Sequence, residues 1–274
     1  GDAPRLESED PPLRVIDLGA GTGSNLRWSI ETGPTRQAWR LVDHDATLLA
    51  AVPHRLAVWA ADRRGTRLTV SDDRIVIEQA GQATPGDRPA SVTDVCLEVR
   101  DLMPFDPAVV AEADIVTASA LLDLVSEPWL TALVAACAAV RASVLFALTY
   151  DGRIACEPAH PFDARVRDLV NRHQRSDKGF GPAAGPDATA ITARLFGAAG
   201  YRVWCRASDW RLDGEPDLQH ELVEGWAAAA VEIAPGEAAA VDGWRTARQA
   251  AIAAGLSRII VGHQDLAAVA RPVR

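Results

Sequence analysis

Lysine and paired cysteines are what this sequence has least of. Lys178 is the single lysine among 28 basic residues, a bias that we attribute to the codon usage of a GC-rich bacterial genome. The cysteines are scattered, with no C-x-x-C pair and no Cys/His cluster at zinc-like spacing. This pattern predicts packed free thiols in a reducing, cytoplasmic compartment, and it predicts no metal site. The four cysteines are Cys96, Cys137, Cys156 and Cys205.

Long apolar runs and an excess of positive charge are also absent. The formal net charge is -9, which argues against a nucleic-acid partner because binding to phosphates needs clustered cations. The most apolar stretch runs from Trp129 to Leu148, but Arg141 and Ser143 interrupt it before the ~20 residues that span a bilayer. We therefore expect no membrane segment. Residues 1–12 are acidic and carry prolines, which predicts a solvated tail rather than a signal peptide.

Apolar segments of strand length alternate with segments of helix length up to about residue 150. The strand-like segments begin at Arg14, Ala38, Val95, Ala113 and Ser143. Short, continuous apolar strands that alternate with helices are typical of a parallel sheet covered on both faces. We predict a doubly wound α/β fold in which residues 13–274 form one domain.

Three segments interrupt this alternation. Residues 66–79 have alternating apolar residues around an Asp-rich turn, which predicts an inserted β-hairpin. Residues 152–186 are rich in Gly and Pro, which predicts a mobile lid with an apolar tip at Phe180 and one helix capped by Asp163. Residues 217–254 are amphipathic and Ala-rich, which predicts a helical insertion that either covers the same opening or packs at the sheet edge.

The first predicted strand runs directly into a loop with three glycines. From Asp17 to Asn25 the sequence reads D-L-G-A-G-T-G-S-N. Glycines let the backbone turn tightly and approach a ligand, and the helix that follows offers unpaired N–H groups. Such glycines also occur in turns that bind nothing, but here an acidic residue precedes them and a predicted helix follows. A dinucleotide-binding fingerprint would place a glycine where Ser24 stands.

The spacing D-x-G-x-G-x-G resembles motif I of the class I, Rossmann-like S-adenosylmethionine (SAM)-dependent methyltransferases. The resemblance implies a mostly parallel, seven-stranded sheet, SAM as the cofactor, and methyl transfer as the activity. It covers residues 13–150 well, and more loosely covers 188–206 and 258–269, which correspond to the last helix and final two strands of the family. A short hairpin usually joins those strands, whereas residues 207–257 separate them here. The subfamily is therefore left unassigned.

The ends of later strands match further cofactor positions of the family. Asp43 and His44 follow the second strand, where an acidic residue accepts the ribose hydroxyls. Asp101 and Leu102 follow the third strand, at the adenine position, and Ser119 begins the region that lines the methionine end and the acceptor. Asp43 as a cap of the helix near Ala46, and Asp101 as the cap of a turn, are open alternatives. The cofactor-binding residues implied by the resemblance are Asp17, Gly19, Ala20, Gly21, Thr22, Asn25, Asp43, His44, Asp101, Leu102, Ser119 and Ala120.

The methyl acceptor is not identified by the sequence. Family members that methylate nucleic acids or glutamine carry an (N/D)-P-P-(Y/F) tetrad where this chain reads S-A-L-L from Ser119. Together with the acidic charge, this favours a small-molecule acceptor. In-line transfer needs alignment and exclusion of water, and a base only for a weak nucleophile. The candidate bases are His160, His173 and Tyr150, although a polar surface role is the commoner one for such histidines.

Two other functions compete with this interpretation. A regulatory or partner protein that binds SAM or a nucleotide without turnover would keep the same glycine loop. An NAD(P)-dependent oxidoreductase would share the fold but prefers the dinucleotide glycine spacing. The oligomeric state is not predicted. We interpret the tryptophans as packing residues, namely Trp28, Trp39, Trp129 and Trp226 in the core, and Trp204 and Trp210 beside a strand.

Overall fold

The computed structural model describes residues 11–71, 74–81 and 90–271, in which the chain divides into two compact units. Unit 1 comprises Gly1–Ser119 and Ala136–Leu145, and unit 2 comprises Ala120–Ala135 and Phe146–Arg274. Most of the tail predicted for residues 1–12 lies outside the described residues, as do two residues of the Asp-rich turn.

Ten strands and eight α-helices lie within the described residues. The strands are β1 Leu13–Leu18, β2 Arg36–Asp43, β3 Thr66–Val70, β4 Ile75–Gln79, β5 Ser91–Val99, β6 Ile115–Ser119, β7 Ser143–Glu157, β8 Tyr201–Ala207, β9 Trp210–Leu212 and β10 Arg258–Ala270. The helices are α1 Ser24–Ser29, α2 Ala46–Ala50, α3 Val52–Ala61, α4 Glu127–Val140, α5 Asp163–His173, α6 Ala188–Ala198, α7 Pro216–Ile233 and α8 Ala238–Ala253.

Unit 1 is built on parallel strands. Its strands lie in the order β3–β4–β5–β2–β1–β6, followed by the first residues of β7. β1 pairs in parallel with β2 and β6, and β2 pairs in parallel with β5. The last four residues of β1, from Val15 to Leu18, are all buried, which means that both faces of the strand are covered. The predicted α/β class and its parallel core are confirmed.

The predicted hairpin is present and becomes part of the sheet. β3 and β4 pair antiparallel, and β4 pairs antiparallel with β5. The expected number of seven strands is therefore wrong: the hairpin adds two, and the three-residue β9, which pairs with β10 in unit 2, adds a third. The alternating pattern indicated the hairpin, but it did not reveal that β4 would satisfy the open edge of β5.

The core of unit 1 packs helix residues against the central strands. Leu26, Leu41 and Leu56 are fully buried in it. Trp39 is buried as expected, and its indole Nε1 donates a 2.8 Å hydrogen bond to Oε1 of Gln37. The core assignment of Trp28 is wrong, since 65% of its surface is exposed. α1 is only six residues long and buries Leu26 alone, so Trp28 is left on its exposed side.

Unit 2 combines an antiparallel group of strands with the predicted helical insertion. β10 pairs antiparallel with β8 and β9, and lies beside β7. Helices α7 and α8 occupy the stretch predicted to be a helical insertion. With α5 they form an apolar core that includes Leu169, Val223 and Trp244.

The Asp163 side chain connects α5 to α8 by hydrogen bonds and does not cap α5. The N-cap residue of α5 is Phe162, and no side chain caps the helix. The Asp163 carboxylate instead accepts hydrogen bonds of 2.8 and 2.7 Å from Nη2 of Arg248 and one of 2.7 Å from Nε1 of Trp244. Arg248 is only 2% exposed and also donates to the carbonyl of Pro158. The predicted cap is therefore the half-buried carboxylate of an ion pair whose arginine is buried.

The N-terminal part of the stretch predicted to be a lid contains regular structure. Residues 152–157 continue β7, and α5 packs against α7. The apolar tip at Phe180 lies edge-on against Trp129, with ring centroids 6.0 Å apart. The Gly179 and Gly181 N–H groups that flank it both donate to Oδ1 of Asp177. The longest part of this stretch without a strand or an α-helix is the segment between α5 and α6.

Candidate functional site

The carboxyl ends of four parallel strands meet at one edge of unit 1. The strand register pairs Leu18 of β1 with Val42 of β2 and Ala118 of β6, and it pairs Asp43 with Val99 of β5. The glycine loop, Asp43, Asp101 and Ser119 follow these ends in the chain. In open α/β sheets, ligands bind outside the carboxyl ends of the strands.

The glycines of the loop have different surroundings. Gly19, Gly21 and Gly23 all have positive φ angles, of 66°, 53° and 73°, which is the left-handed region that favours glycine. A Cβ placed on Gly21 would meet nothing within 4 Å, so its backbone borders open space. A Cβ on Gly23 would lie 3.3 Å from Cδ1 of Leu41, so Gly23 is required for close packing of the loop on β2. Gly21 is the glycine that a ligand can approach.

Asp43 holds the loop at the end of β2. Its carboxylate is 5% exposed; Oδ2 accepts a 2.7 Å hydrogen bond from the backbone N–H of Gly21, and Oδ1 accepts one of 2.9 Å from that of Asp45. The capping alternative for Asp43 is wrong, because the Asp45 side chain caps α2 by accepting from the N–H groups of Thr47 and Leu48. A carboxylate offers about four lone-pair sites, so Asp43 retains the capacity to accept from a ligand.

Asp17 lies buried beneath the loop. Nδ2 of Asn25 donates to Oδ1 of Asp17 at 3.0 Å and to Oγ1 of Thr117 at 2.8 Å, and the Thr117 hydroxyl donates to the carbonyl of Leu145. Burial raises the pKa of Asp17 to about 7, against the opposing effect of the Asn25 hydrogen bond. Its Oδ2 is buried without a hydrogen-bond partner. A buried acceptor left in this state is costly unless something supplies a donor or positive charge.

The remaining predicted cofactor residues differ in exposure. Asp101 is exposed, and its Oδ1 accepts a 2.8 Å hydrogen bond from the N–H of Met103, so the alternative role as the cap of a turn is confirmed. Leu102 is buried. The His44 side chain is 78% exposed and lies with Nδ1 3.3 Å from Oδ1 of Asp43. Ala20 and Thr22 contribute backbone groups: the Ala20 N–H donates to the carbonyl of Val42, and the Thr22 carbonyl accepts from Arg27. Ser119 is half-buried at the end of β6, whereas Ala120 belongs to unit 2.

Unit 2 contains a cavity of about 300 Å³. Its polar and charged lining residues are Asp123, Tyr150, His173, Gln174 and His263, and the other lining residues are Ala120, Leu148, Val170, Trp210, Leu222, Gly225, Trp226, Ala229 and Val261. Of the three candidate bases, Tyr150 and His173 line this cavity and His160 does not. The backbone N–H of Phe162 donates to Nδ1 of His160, which gives that residue a local structural role.

Both remaining candidates are engaged by other protein groups. The Tyr150 hydroxyl donates a 2.7 Å hydrogen bond to Oδ1 of Asn171, and burial raises the pKa of the phenol. Nε2 of His173 lies 3.2 Å from Oε2 of Glu232, and Nδ1 of the same ring lies 3.3 Å from Nζ of Lys178.

His263 is a cavity residue that the sequence analysis missed. Its ring is 8% exposed, and Nδ1–H donates a 3.0 Å hydrogen bond to the carbonyl of Val261. Because a carbonyl only accepts, this bond places the proton on Nδ1 and leaves the Nε2 lone pair available. Burial lowers the pKa of the imidazole, which favours the neutral ring, against opposing effects of Asp151, Asp209 and Asp265. The sequence analysis assigned residues 258–269 to a final strand but gave His263 no role in a site.

Asp123 is a second polar residue of the cavity to which the sequence analysis gave no role. It is 6% exposed, and its Oδ1 has no hydrogen-bond partner. Burial raises the pKa of its carboxyl to about 6, although the backbone N–H of Tyr150 favours the ionised form. Two residues that line the cavity therefore carry an acceptor that no protein group satisfies, namely Oδ1 of Asp123 and Nε2 of His263.

Trp210 also lines this cavity, and its ring centroid lies 5.0 Å from that of His263. Its interpretation as a packing residue alone is therefore incomplete. Across the described ranges, no group of His, Cys, Asp or Glu side chains has the arrangement of a metal site. No described helix is long and apolar enough to cross a membrane.

No protein-family model matches the chain, and no curated protein matches it. Among solved structures, mycolic acid cyclopropane synthase CmaA1 complexed with SAH and CTAB is similar with a TM-score of 0.43 and 11% identity, over 94% of this chain and 79% of that one. An O-methyltransferase family protein from Burkholderia thailandensis has a TM-score of 0.44 and 13% identity, over 92% and 50% of the two chains. A SAM-dependent methyltransferase from Geobacter sulfurreducens, in complex with S-adenosyl-L-homocysteine, has a TM-score of 0.40 and 14% identity, over 96% and 86%. All three TM-scores are below 0.5, so these similarities do not assign a function to this chain.

Proposed function

We propose that this protein is a SAM-dependent methyltransferase that acts on a small-molecule acceptor by in-line transfer. The observation that carries the proposal is the meeting of Gly21 and Asp43 at the carboxyl edge of unit 1, which places an open stretch of backbone beside a buried carboxylate. A ribose presents two neighbouring hydroxyl donors. A carboxylate that already accepts two backbone N–H groups still has lone pairs for them.

The buried Asp17 supports a cationic ligand at this edge. Its Oδ2 has no partner, and Asn25 fixes the other oxygen. The sulfonium and ammonium groups of SAM are positive charges of the kind that favours the ionised form of a buried carboxyl. Asp17, Gly19, Gly21 and Asn25 would then hold the methionine end.

The residues that follow β5 would bind the adenine end of SAM. Asp101 would accept from the exocyclic amino group, and Leu102 would pack against the ring. When bound, SAM supplies a methyl group on a positively charged sulfur, which the acceptor displaces in line. The part of the protein is to bind and orient the reactants and to exclude water.

The packing role of Gly23 supports SAM over a dinucleotide. In the dinucleotide fingerprint the third glycine allows close packing of helix and strand. Here Gly23, at which a Cβ would lie only 3.3 Å from Leu41, takes that role one position earlier than the fingerprint has it, and Ser24 occupies the fingerprint position.

Isothermal titration calorimetry with SAM, S-adenosylhomocysteine and NAD tests the cofactor. We expect the first two to bind and NAD not to bind; NAD binding without a SAM signal would overturn the proposal. Gly21→Ala adds a methyl group to the open backbone and should weaken SAM binding at least ~10-fold, equivalent to about 1.4 kcal/mol. Gly255→Ala is the matched control, because Gly255 also has a positive φ, 67°, and open space around it, but follows α8 in unit 2.

Turnover separates an enzyme from a protein that only binds SAM. Incubation with methyl-labelled SAM and a mixture of small metabolites should give a labelled product and S-adenosylhomocysteine in equal amounts. SAM binding without any transfer across such mixtures would favour the regulatory or partner role.

A further inference from the structure

We propose that the cavity of unit 2 binds a neutral aromatic compound that carries at least two hydroxyl groups, as catechol does. The inference goes beyond the proposed function and concerns unit 2 alone. Identification of this compound with a methyl acceptor would rest on the proposed function, but its binding does not.

The polar groups of the cavity require a ligand that donates hydrogen bonds. Nε2 of His263 carries a lone pair, because Nδ1–H is committed to the carbonyl of Val261. Oδ1 of Asp123 is an acceptor without a donor. Buried acceptors are normally satisfied, so a ligand with two donors completes what the protein leaves open.

The charges around the cavity exclude an anionic ligand. No arginine or lysine is among its lining residues within the described part of the chain. Arg175, a nearby cation, forms a 2.8 Å ion pair with Asp187, and the ammonium group of Lys178 lies behind the wall, against the ring of His173. A carboxylate or phosphate would meet Asp123 without a compensating charge. Hydroxyl groups satisfy the two acceptors without adding charge.

The shape and chemistry of the walls favour a flat ring. Trp210, Trp226 and Tyr150 present aromatic surface to the cavity. α7 lines another side with Leu222, Gly225, Trp226 and Ala229, which lie at i, i+3, i+4 and i+7 on one helix face. Gly225 and Ala229 are small, so they leave room beside Leu222 and Trp226. Aromatic walls with few polar groups are typical of small-molecule sites, and this cavity has the size of a small one.

The backbone around the cavity supports a binding role. Ala120 and Leu148 both line it and both have left-handed backbone, with φ angles of 53° and 54°. Leu148 is held there by a 2.9 Å hydrogen bond from its N–H to Oδ1 of Asp265, which also accepts from the Ser208 hydroxyl. Non-glycine residues held in this conformation cluster at ligand sites.

Calorimetry on the full chain without SAM tests the proposal. The probes are catechol, 1,2-dimethoxybenzene, which has no donors, and benzoate, which is an anion. We expect catechol to bind, dimethoxybenzene to bind at least 10-fold more weakly, and benzoate not to bind. Equal binding of catechol and either comparison compound, or no catechol binding to the folded protein, would overturn the proposal.

Variants assign the binding to named residues. His263→Phe keeps the ring and removes the acceptor, and Asp123→Asn keeps the shape and removes the charge; each should weaken catechol binding ~5- to 10-fold, or about 1 to 1.4 kcal/mol. Trp210→Ala should also weaken it, whereas Trp204→Ala is the matched control, since Trp204 is an exposed residue outside the cavity. Circular dichroism and thermal unfolding identify a variant that fails to fold, in which case His263→Leu, which also has no acceptor, replaces His263→Phe. Folded variants of both His263 and Asp123 that bind catechol as the wild type does would contradict the site.

Discussion

The backbone N–H of Gly21 donates a 2.7 Å hydrogen bond to Oδ2 of Asp43. This bond joins the loop after β1 to the end of β2, so the carboxylate proposed to bind the ribose also fixes the loop that a ligand approaches. The same residue is thus responsible for the shape of the site and for its chemistry.

Asp43→Ala is expected to weaken SAM binding by about 2 to 4 kcal/mol, because it removes the ribose acceptor and frees the Gly21 N–H. The measurement is calorimetric titration with SAM. Thermal unfolding of the variant should also move to a lower temperature, since two backbone N–H groups lose their acceptor.

Two further variants serve as comparisons for the loss of SAM binding expected in Asp43→Ala. Asp101→Ala should cost less, on the order of 1 to 2 kcal/mol, because it removes a single exposed contact. Asp62→Ala alters an exposed carboxylate at the end of α3 and should leave SAM binding unchanged. Wild-type affinity in Asp43→Ala would mean that β2 does not supply the ribose contact.

Asp17 should make stability depend on pH. The pKa of its carboxyl is about 7 in the folded chain against 3.8 ordinarily, so the folded state holds an extra proton between these values. The free energy of unfolding should therefore fall as the pH rises from about 4 to 7. Asp17→Asn keeps an oxygen that can accept from Asn25 and removes the charge, and above pH 7 it should be more stable than wild type, on the order of 4 kcal/mol.

Urea unfolding at pH 5, 6, 7 and 8 measures this difference. The advantage of Asp17→Asn over wild type should grow with pH and then level off, whereas Asp62→Asn should show no such trend. An advantage that is the same at all four values would contradict the buried, protonated carboxyl.

Arg248→Ala should destabilise unit 2 by about 3 to 5 kcal/mol, because it leaves the Asp163 carboxylate without its charged partner. Chemical denaturation measures the effect. Arg245→Ala is the matched control on the same helix: its partners Asp242 and Glu224 are exposed, so the loss should be below about 1 kcal/mol. Similar losses for the two variants would show that burial does not distinguish the pairs.

Hydrogen exchange tests the predicted lid. We now expect mobility only between α5 and α6, where the Gly179 and Gly181 N–H groups bond to a side chain rather than to a strand. In the ligand-free protein the amides of residues 177–182 should exchange quickly, and those of residues 152–157 in β7 slowly. Catechol should slow the exchange of 177–182. If that segment is already as protected as β10, it is part of the scaffold.

The parts predictable from the sequence are those with a local cause. Continuous apolar runs located the strands of the parallel core, and glycines followed by a predicted helix located the loop after β1. The cap of α2 was assigned to Asp43 as an alternative, whereas Asp45 directly precedes Ala46 and its side chain accepts from the first turn. Asp163 and Arg248 lie far apart in the sequence, so their pairing was inaccessible.

The predicted lid began at residue 152, but β7 continues through Gly152 to Glu157, because pairing with neighbouring strands outweighs the local preference of glycine. The resemblance assigned residues 258–269 to a final strand, and β10 runs through Gly262 and His263 to Ala270. The spacing did not indicate that the ring of His263 lines a cavity.

Lys178, the single lysine, lies against His173, which lines the cavity of unit 2. An amine-reactive fluorophore would therefore mark one side chain of the protein, apart from the terminal amine, without any engineered residue. Because that side chain adjoins a wall of the cavity, the emission of the attached dye would respond to a change in the contents of the cavity. The scarcity of one amino acid thus provides this chain with a natural labelling position for optical binding measurements.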